Sequence, residues 1–360
     1  MFRFAQHDRV ERCFSRRSES EKRKNSLSFI VYRLSSVVHR LFCGGSIVSA
    51  ILPRTGVVEF KDGWSHNINY RIYDDVWVDY QAPYMYTSVT LNNGGSAYDV
   101  YGYGHSSINM FGTTYLVYMD RLYSHDFSQV DIFGGSISEG FDSYESSQVR
   151  IVGGSIWYLW SHDFSQVNIY GGFISYLQSY GSSQVDISGG STPEFYTRDS
   201  SQVDISRGSI GALYCYDSSQ VDIFDGSIKE LHSGYSSQVN ISGGSIKEDL
   251  ISAGNSQVNI SGGSIGGDLE LWWQSVIQII GSNFAVDGKP FGYGELTSIF
   301  GGLPRYEPWR NLTGALASGE LIDTDFRIGH DARIILIPEP ASVLLMVVGL
   351  TILTLRRKKR

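Results

Sequence analysis

The sequence has little cysteine, little proline and, over most of its length, little positive charge. Cys13 and Cys43 lie near the N-terminus and Cys215 is alone in the body, so no disulfide framework is expected. Tyrosines on both sides of Cys215 predict a packed, unreactive thiol. Only eight prolines accompany 40 glycines, 23 tyrosines and 18 phenylalanines. That balance indicates many short strands and tight turns and disfavours a helical or disordered chain.

Basic residues outnumber acidic residues only at the two ends. Residues 1–40 hold ten Lys or Arg against four Asp or Glu, whereas residues 41–355 hold 14 against 33. Such an acidic body repels nucleic acid, and it favours solubility or cation binding over contact with a phosphate backbone.

An internal repeat dominates the chain. The string SQV recurs in steps of 18 or 19 residues, with its glutamine at positions 129, 148, 166, 184, 202, 220, 238 and 257. Weaker copies centre on Val89, Ile108 and Val276, which makes about eleven units. A unit this short cannot bury its apolar side chains alone, so the repeat predicts coils that stack on one another.

Each unit has the pattern of a strand, a corner and a second strand. Val203 and Ile205 alternate with Gln202 and Asp204, the period of a strand with one buried face. A Gly-Gly pair usually follows and can turn a corner through positive φ. We therefore predict an all-β fold, a single-stranded parallel β-solenoid (β-helix) about 50 Å long with a cap of β-strands at each end. Apolar residues follow Val203 at distances of two, seven and ten residues along the chain. These spacings differ from the six-residue period of the left-handed hexapeptide helix, and we therefore favour a right-handed coil.

The expected boundaries follow from where the repeat begins and fails. Residues 1–55 are a leader with a candidate signal region at Leu41–Leu52, which three small residues dilute. Either the true start lies further along or residues 1–25 are a disordered leader. Residues 56–100 form an N-terminal cap and first coil, 101–283 the 18- and 19-residue repeats, 284–337 a C-terminal β cap, and 338–360 a sorting and anchor segment.

The C-terminal segment has three parts in order. Pro338, Glu339 and Pro340 precede 15 uncharged residues, Ala341–Leu355, and then five basic residues. The basic residues are Arg356, Arg357, Lys358, Lys359 and Arg360. The apolar part predicts a short C-terminal transmembrane helix whose basic end stays on the cytoplasmic side.

This tail, over residues 337–360, resembles the PEP-CTERM sorting signal of exported bacterial proteins. The repeats and the stretch Leu312–Ile337 are also similar to repeat-bearing members of that family. The resemblance implies an inner-membrane intermediate, recognition by an exosortase after passage through the secretion machinery, and cleavage near the tripeptide. It implies delivery to the cell envelope or extracellular matrix.

The strand position after each valine predicts an outward column of polar side chains that includes Asp186, Asp204 and Asp222. Carboxylates about 5 Å apart repel one another unless a cation screens them. The column therefore suggests a Ca²⁺ site, and the sequence indicates no other cofactor. The alternative is a solvated acidic face, and the chain lacks the glycine-rich nonapeptide of calcium-binding β-rolls. A parallel glutamine column is expected to stabilise the register.

No residue is predicted to be catalytic, and we do not expect an enzyme. His125-Asp126 and His162-Asp163 both occur in the string SHDFSQV, but two coils separate them, so they should not converge on one site. Glycoside cleavage needs two carboxylates in a cleft, and the uniform unit length marks none. Trp157, Tyr158 and Trp160, followed by Tyr176 and Tyr180, either bind sugar rings or pack as columns.

The sequence thus favours an exported structural or adhesive protein of the cell envelope or matrix. Its expected partners are the exosortase and secretion machinery, the membrane and extracellular polysaccharide, and not nucleic acid. The alternative is a carbohydrate-binding or carbohydrate-active β-helix similar to a polysaccharide lyase or glycosidase.

Overall fold

The computed structural model describes residues 57–61, 64–68, 72, 75–79, 87–112, 117–296, 309–329 and 331–339. These residues form an all-β parallel β-solenoid of about eleven turns without a helix, which confirms the predicted fold class. The expected leader (1–55) and the predicted transmembrane helix with its basic end (341–360) lie outside the described residues. Within them, no helix is long and apolar enough to span a membrane. The handedness of the coil stays a prediction.

Each coil contributes to two parallel ladders, and the first, the Gln ladder, contains the SQV strings. Glutamine lies on glutamine: Gln148 pairs with Gln129 on one side and with Gln166 on the other. The predicted register is therefore correct. The strands of the Gln ladder are β2 (Ser65–Ile68), β4 (Ser88–Leu91), β6 (Ser107–Met110), β8 (Gln129–Ile132), β10 (Gln148–Ile151), β12 (Gln166–Ile169), the first parts of β14 (Gln184–Thr197) and β15 (Gln202–Cys215), β16 (Gln220–Ile223), β18 (Gln238–Ile241), β21 (Gln257–Ile260), the start of β24 (Val276–Val286), and β29 (Arg333–Pro338).

The second ladder, the Leu ladder, follows the glycine corner of each coil. Its register is equally regular, because Ile210 pairs with Ile228 and Leu213 with Leu231. Its strands are β1 (Val57–Phe60), β3 (Asp75–Val78), β5 (Ser96–Gly102), β7 (Tyr118–Ser124), β9 (Ser136–Ser143), β11 (Ser155–Ser161), β13 (Phe173–Ser179), the second parts of β14 and β15, β17 (Ser227–Ser233), β19 (Ser245–Ile246), β20 (Leu250–Ser252), β22 (Ser264–Ile265), β23 (Leu269–Leu271) and β28 (Leu321–Ile328).

The core lies between the two ladders. Alternation along β15 directs Val203 and Ile205 inward and leaves Gln202 and Asp204 exposed. Ile210 and Leu213 close the other side of the same coil and are also buried. Because each coil supplies the same four inward positions, aliphatic columns run along the rod and shield one another from water.

The Gly-Gly corner uses its two glycines for different reasons. The second adopts positive φ, as predicted, for example 84° at Gly190. The first is needed for close approach, since a Cβ on Gly189 would lie 2.2 Å from the carbonyl oxygen of Tyr170. Arg207 takes the place of that first glycine one coil later, and there the pairing of β14 with β15 shifts its register.

Both ends of the described chain take part in the ladders. At the start, β1 pairs with β3 and β2 with β4 in parallel register. At the end, β28 pairs parallel with β23 and β29 with β24. Between them lie β25 (Lys289–Pro290), β26 (Gly294–Leu296) and β27 (Arg310–Leu316), which make antiparallel pairs. The region expected to be a terminal cap thus contains one more coil and an antiparallel excursion.

Candidate functional site

The aspartates proposed to bind a cation lie in one column on the Gln ladder. Asp204 pairs in register with Asp186 on one side and Asp222 on the other. Partial burial, and then the charges of these two neighbours, raise the pKa of Asp204. Gln184, Gln202 and Gln220 line the same shallow groove.

The groove lacks the convergent geometry of a metal centre. In the part of the chain that the structure describes, no three or more His, Cys, Asp or Glu side chains come close enough to hold a metal ion. One carboxylate is also engaged, because Asn240 Nδ2 donates to Asp222 Oδ1 over 2.6 Å. Further along the column, Arg150 pairs with Asp131 at 2.8 Å. The Ca²⁺ site therefore stays a prediction without a ligand set.

The two His-Asp pairs form parts of columns. Asp126 Oδ2 accepts the backbone N–H of Gly104 at 2.9 Å, and Asp163 Oδ2 accepts that of Glu145 at 3.2 Å. Each of these carboxylates therefore ties its turn to the preceding coil. The histidine rings stack between tyrosines, with His125 4.9 Å from Tyr144 between ring centroids. The prediction that the two pairs do not meet at one site agrees with this arrangement.

Aromatic side chains stack from coil to coil along one side of the rod. In the turn, rings separated by 4.7 to 5.3 Å form one column, and on the outer face of the Leu ladder a second column contains pairs at 4.5 to 4.8 Å. Since the faces of these rings cover one another, mainly ring edges reach solvent. The turn column contains Tyr103, His125, Tyr144, His162 and Tyr180, and the ladder column includes Tyr101, Tyr123, Tyr196, Tyr214 and His232.

A cluster around Trp157 departs from this stacking. Trp157 is 51% exposed and meets Tyr158 and Tyr176 edge to face. Beneath it, Tyr158 stacks on Trp160 at 5.0 Å and on Tyr176 at 4.9 Å. Gly140 makes room for the indole of Trp160, because a Cβ there would lie 2.9 Å from it. Most of the rings named from the sequence as sugar-binding candidates therefore meet in one cluster, and the ring of Trp157 is the open one.

Two exposed phenylalanines were missed by sequence reasoning. Phe127 and Phe164 follow the His-Asp pairs in the two SHDFSQV strings and are 58% and 68% exposed. The histidines and aspartates of that string suggest acid–base chemistry, whereas a phenylalanine carries no such signal. The signal that could have identified the phenylalanines is that other coils place serine at this position, as at Ser146 and Ser182.

The first two residues of the predicted sorting tripeptide belong to the last coil. Pro338 ends β29 opposite Gly281, and Ser282 Oγ donates to Glu339 Oε1 at 3.2 Å. Pro340 and the basic residues lie outside the described residues.

Comparison of the chain with models of protein families, with curated proteins and with solved structures finds no match.

Proposed function

We propose that the protein is an exported structural or adhesive rod of the cell envelope or extracellular matrix, without catalytic activity. The observation that supports this most strongly is the uniformity of the coils. Between Gln129 and Gln257 every step is 18 or 19 residues and the glutamines pair in register. No insertion interrupts this stretch to build the walls of a cleft. A rod of this kind is suited to act as a spacer or as a display surface.

We propose that the tail directs export and then serves as a transient anchor. The apolar segment Ala341–Leu355 would cross the inner membrane, with Arg356–Arg360 on the cytoplasmic side, until an exosortase cleaves near Pro338-Glu339-Pro340. Cleavage at this place would leave the core intact, because the buried Leu336 precedes it. We further propose that β26 and β27 act as a cap, since they pair antiparallel with the last coil and cover part of its edge.

Mass spectrometry of both termini of the mature protein, recovered from an exporting host, tests export and processing together. We expect an N-terminus beyond Leu41–Leu52 and a C-terminus near Pro340. A triple variant with Pro338, Glu339 and Pro340 replaced by alanine should keep its basic tail and remain with the membrane. Recovery of the wild-type chain from the cytosol with Arg360 still attached would contradict the proposal.

Carbohydrate binding is the second candidate, and the exposure of Trp157 supports it. A sugar ring can pack its C–H groups on an open aromatic face. A glycan array followed by calorimetry tests this function, with Trp157→Ala expected to lose the signal. Phe224→Ser removes a ring that is 53% exposed and serves as the matched control. Release of reducing or unsaturated ends from a bound polysaccharide would instead indicate a lyase or glycosidase.

A further inference from the structure

Phe127 and Phe164 project from the same turn of the rod, two coils apart, and the coil between them carries Ser146 at that position. The three backbones are aligned. The N–H of Ser146 bonds to the carbonyl of Asp126 at 2.9 Å, and the N–H of Phe164 bonds to the carbonyl of Glu145 at 2.9 Å. Two largely exposed rings therefore flank an opening above a small side chain, which we call the Phe gap.

The width of the Phe gap suits one flat group. Successive coils lie about 4.8 Å apart, so Phe127 and Phe164 are separated by roughly twice that distance. Phe127 stacks on His105 of the preceding coil, with centroids 5.2 Å apart and planes 12° apart. One face of Phe127 is thus covered, and its other face is turned towards the coil of Ser146. A flat group level with Ser146 would lie one stacking distance from each phenylalanine.

Two carboxylates lie beside the Phe gap and within its height. Glu145 Oε2 accepts the backbone N–H of Asp126 at 2.5 Å, and Asp163 Oδ2 accepts the backbone N–H of Glu145 at 3.2 Å. Each side chain is therefore fixed between two successive coils by one oxygen, which for Glu145 also lies 3.7 Å from Nδ1 of His125. The second oxygen of each carboxylate makes no hydrogen bond within the described residues. The three turns contain no lysine or arginine, so open aromatic faces and negative charge occur together.

The last coil of the rod shows what occupies a space of this kind. The guanidinium carbon of Arg327 lies 4.7 Å from the ring centroid of Trp272 and 4.7 Å from that of Trp309. The two rings come from opposite sides, because β28 carries Arg327 between β23, which ends just before Trp272, and β27, which begins just after Trp309. Nη2 of Arg327 also pairs with Glu270 Oε2 at 2.8 Å. Two rings and a carboxylate thus hold one guanidinium group.

A phenylalanine serves the same purpose elsewhere in the rod. The guanidinium carbon of Arg150 lies 5.1 Å from the ring centroid of Phe133, and the same side chain pairs with Asp131 at 2.8 Å. A planar cation that stacks on a ring while its N–H groups donate to a carboxylate gains from both contacts. The Phe gap offers the rings and the carboxylates of this arrangement without a guanidinium group from its own turns.

We propose that the Phe gap binds the guanidinium group of an arginine side chain presented by a partner protein. The flat cation would lie level with Ser146, face to face with Phe127 and Phe164, and would donate to the second oxygens of Glu145 and Asp163. Lysine fits less well, because its ammonium group is compact, strongly hydrated and not planar. A neutral ring would fit the width but would leave the carboxylates without a counter-charge.

Saturation-transfer NMR of the full chain with a short blocked peptide, Gly-Arg-Gly, tests the inference, which is independent of the proposed export. Two sister peptides carry lysine or citrulline in place of arginine, and the side chain of citrulline ends in a planar but uncharged ureido group. The arginine peptide should bind about fivefold or more tightly than either. Equal binding of the lysine peptide would indicate simple attraction to an acidic rod, and equal binding of the citrulline peptide would indicate stacking without charge. Either result would overturn the inference.

Loss of the two rings should remove the site. Phe127→Ser with Phe164→Ser should weaken the dissociation constant of the arginine peptide by about tenfold or more. Serine is the residue that other coils use at this position, as at Ser182, so the double variant should keep its fold. Phe224→Ser, which removes an exposed ring at another corner, should leave binding unchanged.

A pair of aspartate variants separates the site from the general charge of the turn column. Asp163→Asn should weaken binding by about threefold, and the loss should be larger at low salt. Asp199→Asn is the matched control, because Asp199 Oδ2 accepts the N–H of Gly181 at 3.0 Å in the same manner but is followed by Ser200. This control should bind the arginine peptide as tightly as wild type does.

Three further results would overturn the inference: a wild type that does not bind the arginine peptide, binding that survives loss of both phenylalanines, or equal effects of the two aspartate variants. Occupation of the Phe gap by an arginine from residues 1–40 or 356–360 of the same chain would give the first of these results.

Discussion

Cys215 lies across a buried corner from Ser219, at a place where neighbouring coils pair two hydroxyl groups. One coil later, the Oγ atoms of Ser233 and Ser237 form a hydrogen bond of 2.9 Å inside the rod. At Cys215 the thiol replaces the first hydroxyl, and the buried Oγ of Ser219 has no hydrogen-bond partner among the described residues. The substitution leaves a polar atom unsatisfied in the interior, which costs free energy.

Restoring the hydroxyl should stabilise the rod. We expect Cys215→Ser to raise the free energy of unfolding by about 1 kcal/mol, because it supplies a partner to Ser219 at little change in volume. Urea denaturation followed by circular dichroism measures the difference. Cys215→Ala is the control and should not stabilise, since it removes the thiol without adding a partner. A Cys215→Ser protein that unfolds at lower urea than wild type would refute this interpretation of the corner.

The same burial should make Cys215 unreactive. Loss of solvent raises the pKa of its thiol, so the reactive thiolate is scarce at neutral pH. Under native conditions a maleimide or iodoacetamide should leave Cys215 unmodified, and labelling should appear only as the rod unfolds. Peptide mass mapping separates this site from Cys13 and Cys43. Rapid labelling of Cys215 in the folded protein would show that the corner opens.

The main features of the fold were predictable because each has a local cause that is repeated in the sequence. Two-residue alternation in strings such as Gln202 to Ile205 identifies a half-buried strand, and the step of 18 or 19 residues between glutamines fixes the register of stacking. The corner at Gly189-Gly190 was predictable because glycine adopts positive φ without strain. The requirement for glycine at position 189 was not, because it comes from the close approach of Tyr170 in the preceding coil.

What could not be predicted depends on contacts between coils. From the sequence, the serine before each SQV glutamine would be expected to face water. Ser237 is instead buried, because the hydroxyl of Ser233 satisfies its hydrogen bond within the core. Likewise, the return of β28 and β29 to the ladders after a long antiparallel excursion has no periodic signal. The open ring of Trp157 depends on how Tyr158, Trp160 and Tyr176 pack around it.

Relieving repulsion in the aspartate column should also stabilise the fold. We expect Asp204→Asn to raise the free energy of unfolding at neutral pH by a few tenths of a kcal/mol, a small value because the carboxylate is largely solvated. Since the folded-state pKa of Asp204 is raised, the gain should disappear as pH falls through that pKa. Salt should reduce it as well. Thermal and urea denaturation at two pH values and two salt concentrations measure these changes.

The matched control is Asp131→Asn. In the wild type the Asp131 carboxylate pairs with Arg150 at 2.8 Å, so its removal should not raise the free energy of unfolding. The same proteins test the Ca²⁺ hypothesis. If the column binds the ion, Ca²⁺ should raise the Tm of the wild type more than that of Asp204→Asn, and calorimetry should record heat. Equal responses of wild type and variant would end the cation hypothesis, and a loss of stability in Asp204→Asn without Ca²⁺ would contradict the repulsion.

Asp99 should give the rod a pH-dependent stability near the N-terminal end of the Leu ladder. Burial, and then the charge of Asp75, raise the pKa of Asp99 to about 6, although Arg121 opposes the shift. A raised folded-state pKa means that the folded protein favours the protonated acid. The stabilising contribution of Asp99 is therefore complete below its ordinary pKa of 3.8 and is lost as pH rises through about 6.

Asp99→Asn should consequently match the wild type near pH 4 and exceed its free energy of unfolding by about 1 kcal/mol above pH 7, a value reduced for the part of the carboxylate that water still reaches. Asp99 also accepts a hydrogen bond from the Tyr101 hydroxyl at 3.4 Å, and Tyr101→Phe separates that contribution from burial. Urea denaturation across this pH range measures all three proteins. The stability difference between wild type and Asp99→Asn could instead stay constant from acid to neutral pH. That result would show that Asp99 titrates as an ordinary surface carboxylate, and that any stabilisation comes from contacts of the new amide.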